Sequence, residues 1–204
     1  FNKRLAYKGL GFAQQYYPSR YLSADDETYL VSRKDDHQHI TDKRFYTENL
    51  KFIENEINKG KPVLNFMVPI YGHYPHPVAA EHPMVEVVND FDVSDMTLRA
   101  INQNYYRTKA LYEYIQALIQ LDPNSIILVF SDHLPKLEGI KSVAKYGYTH
   151  SSYEVPGWVW IDSELVKIDV QSFYELLPAI IDKASNGVYC EENNCQLTDS
   201  DKLL

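Results

Sequence analysis

The sequence predicts a single α/β domain, a mostly parallel sheet with helices on both of its faces. Three observations carry this. Two apolar runs of strand length, residues 63–70 and 125–130, are continuous rather than alternating, the pattern of strands buried on both faces. Between them, residues 96–121 place apolar side chains at helical spacing. Strand, helix, strand in that order is the βαβ unit, whose two strands run parallel.

The elements follow in chain order. Residues 1–40 are rich in Tyr and charge, with Gly9 and Gly11 close together and Pro18 breaking any helix, and read as an irregular leading segment. Over 41–59, Phe45, Leu50, Phe52, Ile53 and Ile57 recur at helical spacing, Asp42 favours the dipole at the start, and Gly60 follows the end. Pro62 opens the first apolar strand, which ends at Gly72-His73-Tyr74-Pro75. Residues 79–95 are acidic and proline-bearing and read as a surface excursion, with His76 and His82 exposed.

The second helix, 96–121, has Leu98, Ile101, Tyr105, Tyr112, Ile115, Leu118 and Ile119 on its apolar face, and Asp122-Pro123-Asn124 ends it. The β-branched run 125–130 leads directly into Ser131-Asp132-His133. Residues 155–161 supply a further strand, in which Trp158 and Trp160 are expected to pack the core and the sheet face. Residues 172–184 supply a last helix, with Phe173, Leu176, Leu177, Ile180 and Ile181 inward, before a polar tail over 185–204.

At 204 residues and 45% hydrophobic, the chain is long enough for one well-buried core. A net charge of −8 without a Lys/Arg cluster excludes nucleic acid as a partner. The longest apolar runs are far below the roughly 20 residues that span a bilayer. The chain opens at Phe1 without a signal-like stretch, so its start is expected to be a boundary within a longer polypeptide. Cys190 and Cys195, four polar residues apart, make a poor zinc site and an easy short disulfide, a reading that favours the periplasm or the cell exterior over two free thiols.

Ligands of α/β sheets bind beyond the carboxyl ends of the strands, and two groups stand there: His73 after the first strand and Asp132-His133 after the second. A carboxylate beside an imidazole offers one hard and one borderline ligand, suited to manganese or zinc and less to calcium or magnesium. The dipeptide alone equally fits a structural pair, with Asp capping a turn and His packing. His73, by spacing alone, reads as a histidine bridging backbone groups, and His150 as a loop histidine before the last strand. There is no Gly-x-Ser-x-Gly, no cysteine placed as a nucleophile and no glycine-rich phosphate loop.

The motifs taken in order add something. Pro62-Val63-Leu64-Asn65-Phe66 leading to Gly72-His73-Tyr74-Pro75, the helix from Tyr106 to Ile115, the strand closing on Ser131-Asp132-His133, Glu154-Val155-Pro156 before a strand, and Tyr174-Glu175-Leu176-Leu177-Pro178 resemble the carboxy-terminal part of sulfatase-type proteins of the alkaline phosphatase superfamily. The resemblance is greatest to the lipoteichoic acid synthase and phosphoethanolamine or phosphoglycerol transferase branch, and covers residues 41–182. It implies a partial alkaline-phosphatase-like fold and metal-dependent hydrolysis or transfer of sulfate or phosphate esters, including lipid-linked ones. It further implies Asp132 and His133 as ligands of a divalent metal, His73 as a contact of the transferred group, and His150 as a second such contact. The setting implied is the outer face of the cell envelope, with a parent that can be membrane-anchored.

The sequence departs from that pattern at Leu134-Pro135, where the family commonly has glycine soon after Asp-His, and at Thr108, where it often has Asp. The family's nucleophile and remaining metal ligand precede the matched region, and residues 1–39 resemble neither. The expectation is therefore a part of an envelope phosphotransferase or sulfatase, inactive alone and completed by an upstream part of the same polypeptide. The competing reading is a non-catalytic binding domain on a degenerate scaffold, in which Asp132, His133 and His73 only hold loops together.

Overall fold

The computed structural model describes residues 40–60, 62–69, 71–73, 76, 78–86, 94–132, 157–170 and 172–195. The described residues fall into two compact units, one running up to Tyr114 and the other starting at Ile115. The chain is mixed α/β, as expected.

The first unit begins with helix α1 (Asp42–Ile57). Thr41 stands at its N-cap but turns its hydroxyl away, donating to Glu81 Oε1 at 2.6 Å. The helix unwinds through Asn58 to Gly60, whose φ of 69° suits a residue without a Cβ. Residues 62–69 are extended and pair with no strand among the described residues. Helix α2 (Asp95–Leu121) is properly capped, because Ser94 Oγ accepts the Thr97 N–H at 3.1 Å. An Asp95–Arg99 pair at 2.7 Å spans its first turn. No helix among the described residues is long and apolar enough to cross a membrane.

In the second unit the sheet has three strands in the order β1 (Ile126–Phe130), β2 (Gly157–Ile161), β3 (Glu164–Val166), and every pairing is antiparallel. Ile126 faces Ile161 and Phe130 faces Gly157, while Val159 faces Val166. The expected parallel arrangement is corrected here. A continuous apolar run establishes neither strand direction nor burial on both faces: Leu64 and Phe66 in the first run and Ile126 and Phe130 in the second are exposed, and the described partner of β1 is β2 rather than the run over 62–69. Asp162 and Ser163, both at positive φ (51° and 70°), close β2 onto β3 as a two-residue turn that matches strand twist. Ser163 Oγ donates to Pro123 O at 2.8 Å, fixing the turn beside the end of α2.

Val159 and Ile161 bury one face of β2 against Ile180 of helix α3 (Phe173–Ala184), with Leu128, Val166, Ile168 and Leu176 around them. The tryptophans alternate onto the other side, and Trp158 is 45% exposed, so the core falls to Val159 and Ile161. Leu177, expected inward, is also exposed. Pro178 lies inside α3. Helix α4 (Val188–Asn193) follows, its start held by Asp182 Oδ1 accepting the Cys190 N–H at 2.8 Å. The Cys190–Cys195 disulfide is formed.

Candidate functional site

The first unit is organised around a polar stripe. On α1 the buried residues are Asp42, Tyr46, Asn49 and Ile53, spaced as one helical face. On α2 the same spacing joins Gln103, Arg107, Ala110 and Tyr114, where Gln103, Ala110 and Tyr114 are buried and Arg107 is half-buried. Asp42 pairs with Arg107 and Asn49 with Tyr114, each across 65 residues, so the two helices run parallel. Arg107 Nε donates to Asp42 Oδ2 at 2.8 Å, and the Tyr114 hydroxyl to Asn49 Oδ1 at 2.5 Å. Tyr46 and Tyr114 stack with centroids 4.6 Å apart. Asn49 and Asn65 exchange amide hydrogen bonds at 3.1 and 3.2 Å, which fastens the extended segment to α1. That segment turns Asn65 and Met67 inward and exposes Leu64, Phe66 and Val68.

The turn that carries His73 is clamped to α2. Gln103 Nε2 donates to Tyr71 O at 2.9 Å, while Gln103 Oε1 lies 2.9 Å from His76 Nδ1. Gly72 lies against Arg107: an added Cβ would sit 1.8 Å from Nη1. His76 N–H closes the turn on His73 O at 3.2 Å. His76 itself is held at φ 59°, a left-handed conformation that costs a residue with a Cβ on the order of 1–3 kcal/mol and persists where its surroundings enforce it. His73 is exposed at the crest of this turn.

Behind the turn, Tyr71 is fully buried and its hydroxyl meets His82 Nδ1 at 3.0 Å. The His82 ring stacks on Tyr106, 4.2 Å between centroids, and Asn102 accepts the Val85 N–H at 2.9 Å. Burial lowers the His82 pKa, against the opposing pull of Glu81 and Asp42. Burial likewise pushes the Tyr71 phenol up to about 12 and raises Asp42, the latter only partly offset by Arg107. A neutral imidazole and unionised phenols suit this network to fixing a loop, not to moving protons at neutral pH.

Both His76 and His82 are thus buried, where the sequence pattern placed them at the surface. Asp42, expected to favour the dipole at the helix start, stands there and is in addition a buried ion-pair partner. On α2, Ile101, Tyr105 and Tyr112 are exposed, and the face toward the core carries Thr97, Asn102 and Gln103. Polar residues at i, i+4, i+7 on two helices were the available signal, and hydrophobic periodicity is blind to it.

Of the four residues singled out for chemistry, His73 belongs to the first unit and Asp132 to the second. Asp132 is exposed, just past the end of β1, as strand and motif predicted. His133 and His150 lie outside the described residues. Neither unit by itself therefore holds two of the four among the described residues, and no group of three His, Cys, Asp or Glu among them is placed to hold a metal. Asp132 places a carboxylate residue at a strand terminus, of the chemistry that supplies one oxygen ligand to a divalent ion.

The family model described as Sulfatase matches residues 1–184. No curated protein and no solved structure gives a significant match.

Proposed function

The chain belongs to the Sulfatase family, and we propose that it forms part of a metal-dependent hydrolase or transferase acting on sulfate or phosphate esters. The observation that carries this is the extent of the family match: it takes in His73, Asp132, His133 and His150 on one continuous stretch. Members of this family typically use divalent metals and act on esters. In this reading Asp132 and His133 hold manganese or zinc, which would neutralise charge developing on the transferred group. His73, from its clamped turn, contacts an oxygen of that group, and His150 provides a second contact. Phosphoglycerol or phosphoethanolamine transfer on the outer face of the cell envelope, from a lipid-linked donor, is the branch that the ordered motifs favour. The disulfide supports an oxidising compartment.

Calorimetric titration of manganese and zinc into the chain tests the ligand assignment. One ion per chain is expected, lost in both Asp132→Ala and His133→Ala, with thermal unfolding of the metal-free proteins unchanged. Binding of equal strength in the variants would move the metal elsewhere. No binding by any of the three would mean that Asp132 and His133 do not hold a metal by themselves, and would favour a non-catalytic domain on this scaffold only if a polypeptide extended upstream bound none either.

A further inference from the structure

The clamp on the His73 turn carries an inference beyond the ligand assignments. We propose that Gln103 is a positioning residue for His73, acting through Tyr71 and His76, with Arg107 against Gly72 as the second point of attachment. The inference rests on the reading of His73 as a contact of the transferred oxyanion.

Gln103 is buried and uses both ends of its amide on the same short turn, one at Tyr71 O and one at the His76 ring. Those two contacts lie on either side of His73 in sequence. Arg107, one helical turn further along the same face, occupies the space over Gly72, where any side chain would collide with it. Asp42 holds that guanidinium in place at 2.8 Å. His76 keeps a left-handed backbone and donates its N–H back to His73 O. Three successive attachments therefore fix the backbone under an exposed imidazole, and the rigid element they refer to is a 27-residue helix. A site held by a helix is placed more closely than one left to a free loop, and a contact with a tetrahedral oxyanion depends on such placement.

Gln103→Met removes both hydrogen bonds at nearly constant volume. Gln103→Glu is the informative partner: protonated, it can donate to Tyr71 O and accept from His76 as the amide does, whereas ionised it faces the Tyr71 carbonyl with a second acceptor. The other ionisable groups of the network, His76, His82, Asp42 and Arg107, are common to both proteins, so wild type is the reference at each pH.

The measurement is NMR on the histidine-labelled chain. It follows the His73 ring during titration with inorganic phosphate, with His73→Ala as the assignment control, and follows hydrogen exchange of the His76 amide in the same samples. In wild type, phosphate is expected to shift the His73 ring and the His76 amide to be protected. In Gln103→Met, the apparent phosphate affinity falls and His76 exchange rises, each by about tenfold, the low end for two lost hydrogen bonds. In Gln103→Glu both readouts approach wild type at acid pH and depart from it as the glutamate ionises. Tyr114→Phe, which weakens the same unit elsewhere, leaves both at wild-type values once its lower stability is allowed for. A His76 amide equally protected in wild type and both Gln103 variants overturns the proposal. A wild-type His73 ring indifferent to phosphate instead removes the oxyanion reading, while the exchange data still decide whether Gln103 holds the turn.

Discussion

Replacing Arg107 with methionine is the most informative test of the polar stripe. The Asp42 side chain is only 3% exposed, its Oδ2 accepts from Arg107 Nε at 2.8 Å, and its Oδ1 has no hydrogen-bond partner among the described residues. Breaking a buried pair from one side costs about 3–5 kcal/mol, because a charge is left uncompensated. Arg107 is 34% exposed, so screening favours the low end, about 3 kcal/mol at pH 8. The cost depends on pH with a definite sign. Burial raises Asp42 above its ordinary 3.8, so the folded state binds that proton more tightly than the unfolded state. The stability contributed by protonation is complete below 3.8 and is lost as pH rises through the folded value. Removing Arg107 takes away the influence that lowers it, so the variant retains its proton to higher pH. As pH falls and Asp42 becomes neutral in both proteins, the penalty shrinks towards the lost hydrogen bond, about 1 kcal/mol. Urea unfolding of both proteins from pH 8 downward measures this difference. A penalty that is the same at every pH, or below about 0.5 kcal/mol at pH 8 as for a surface pair, would refute the argument.

Other consequences are smaller or more local. Tyr114→Phe removes the donor to Asn49 Oδ1, but that oxygen also accepts from Asn65, so the loss in urea unfolding is expected near 1 kcal/mol rather than the larger cost of an orphaned acceptor. Ile180→Ala empties the centre of the cluster formed with Val159 and Ile161, and is expected to cost about 2–4 kcal/mol by the same measurement. Burial pushes the Tyr71 phenol from 10 up to about 12. Stability tied to its proton is therefore full below pH 10 and lost as pH rises through 12. An ultraviolet titration of the 17 tyrosines should show Tyr71, and with it Tyr46 and Tyr114, ionising after the exposed phenols, and Tyr71→Phe should remove part of that late fraction.

The helices were legible because apolar side chains recur at helical spacing in all three and local chemistry bounds two of them: Asp42 and Gly60 at the ends of α1, and Asp122-Pro123 after α2. Two of the three expected strands were legible as well, since Ile126–Phe130 and Gly157–Ile161 fall where apolar runs lie, whereas the run over 62–69 forms no strand among the described residues. Direction was not, since Leu128 and Val159 would be equally apolar in a parallel pair. Nor was the assignment of faces: Trp158 and Val159 both suit a strand, and only the position of Ile180 on α3 decides which is covered.

The polar stripe escaped for a deeper reason. A buried Asp42, Asn49, Asn102 or Gln103 is tolerable only where a partner meets it, and each partner lies on another element: Arg107, Tyr114, Val85, Tyr71. Any one of these residues alone reads as surface. Their meaning is in the pairing, and the pairing fixes the register of two parallel helices: sliding α2 by one turn would strand Asp42 and take the Tyr114 hydroxyl away from Asn49 at once. Such a register is more exacting than an apolar seam, where neighbouring side chains can substitute for one another. The same side chains that set it, Gln103 and Arg107, are the ones that grip Tyr71 and Gly72. Helix register and the position of the His73 turn thus meet in these two side chains, so Arg107→Met, at the residue that touches both Asp42 and Gly72, should disturb the turn as well as the helix pairing.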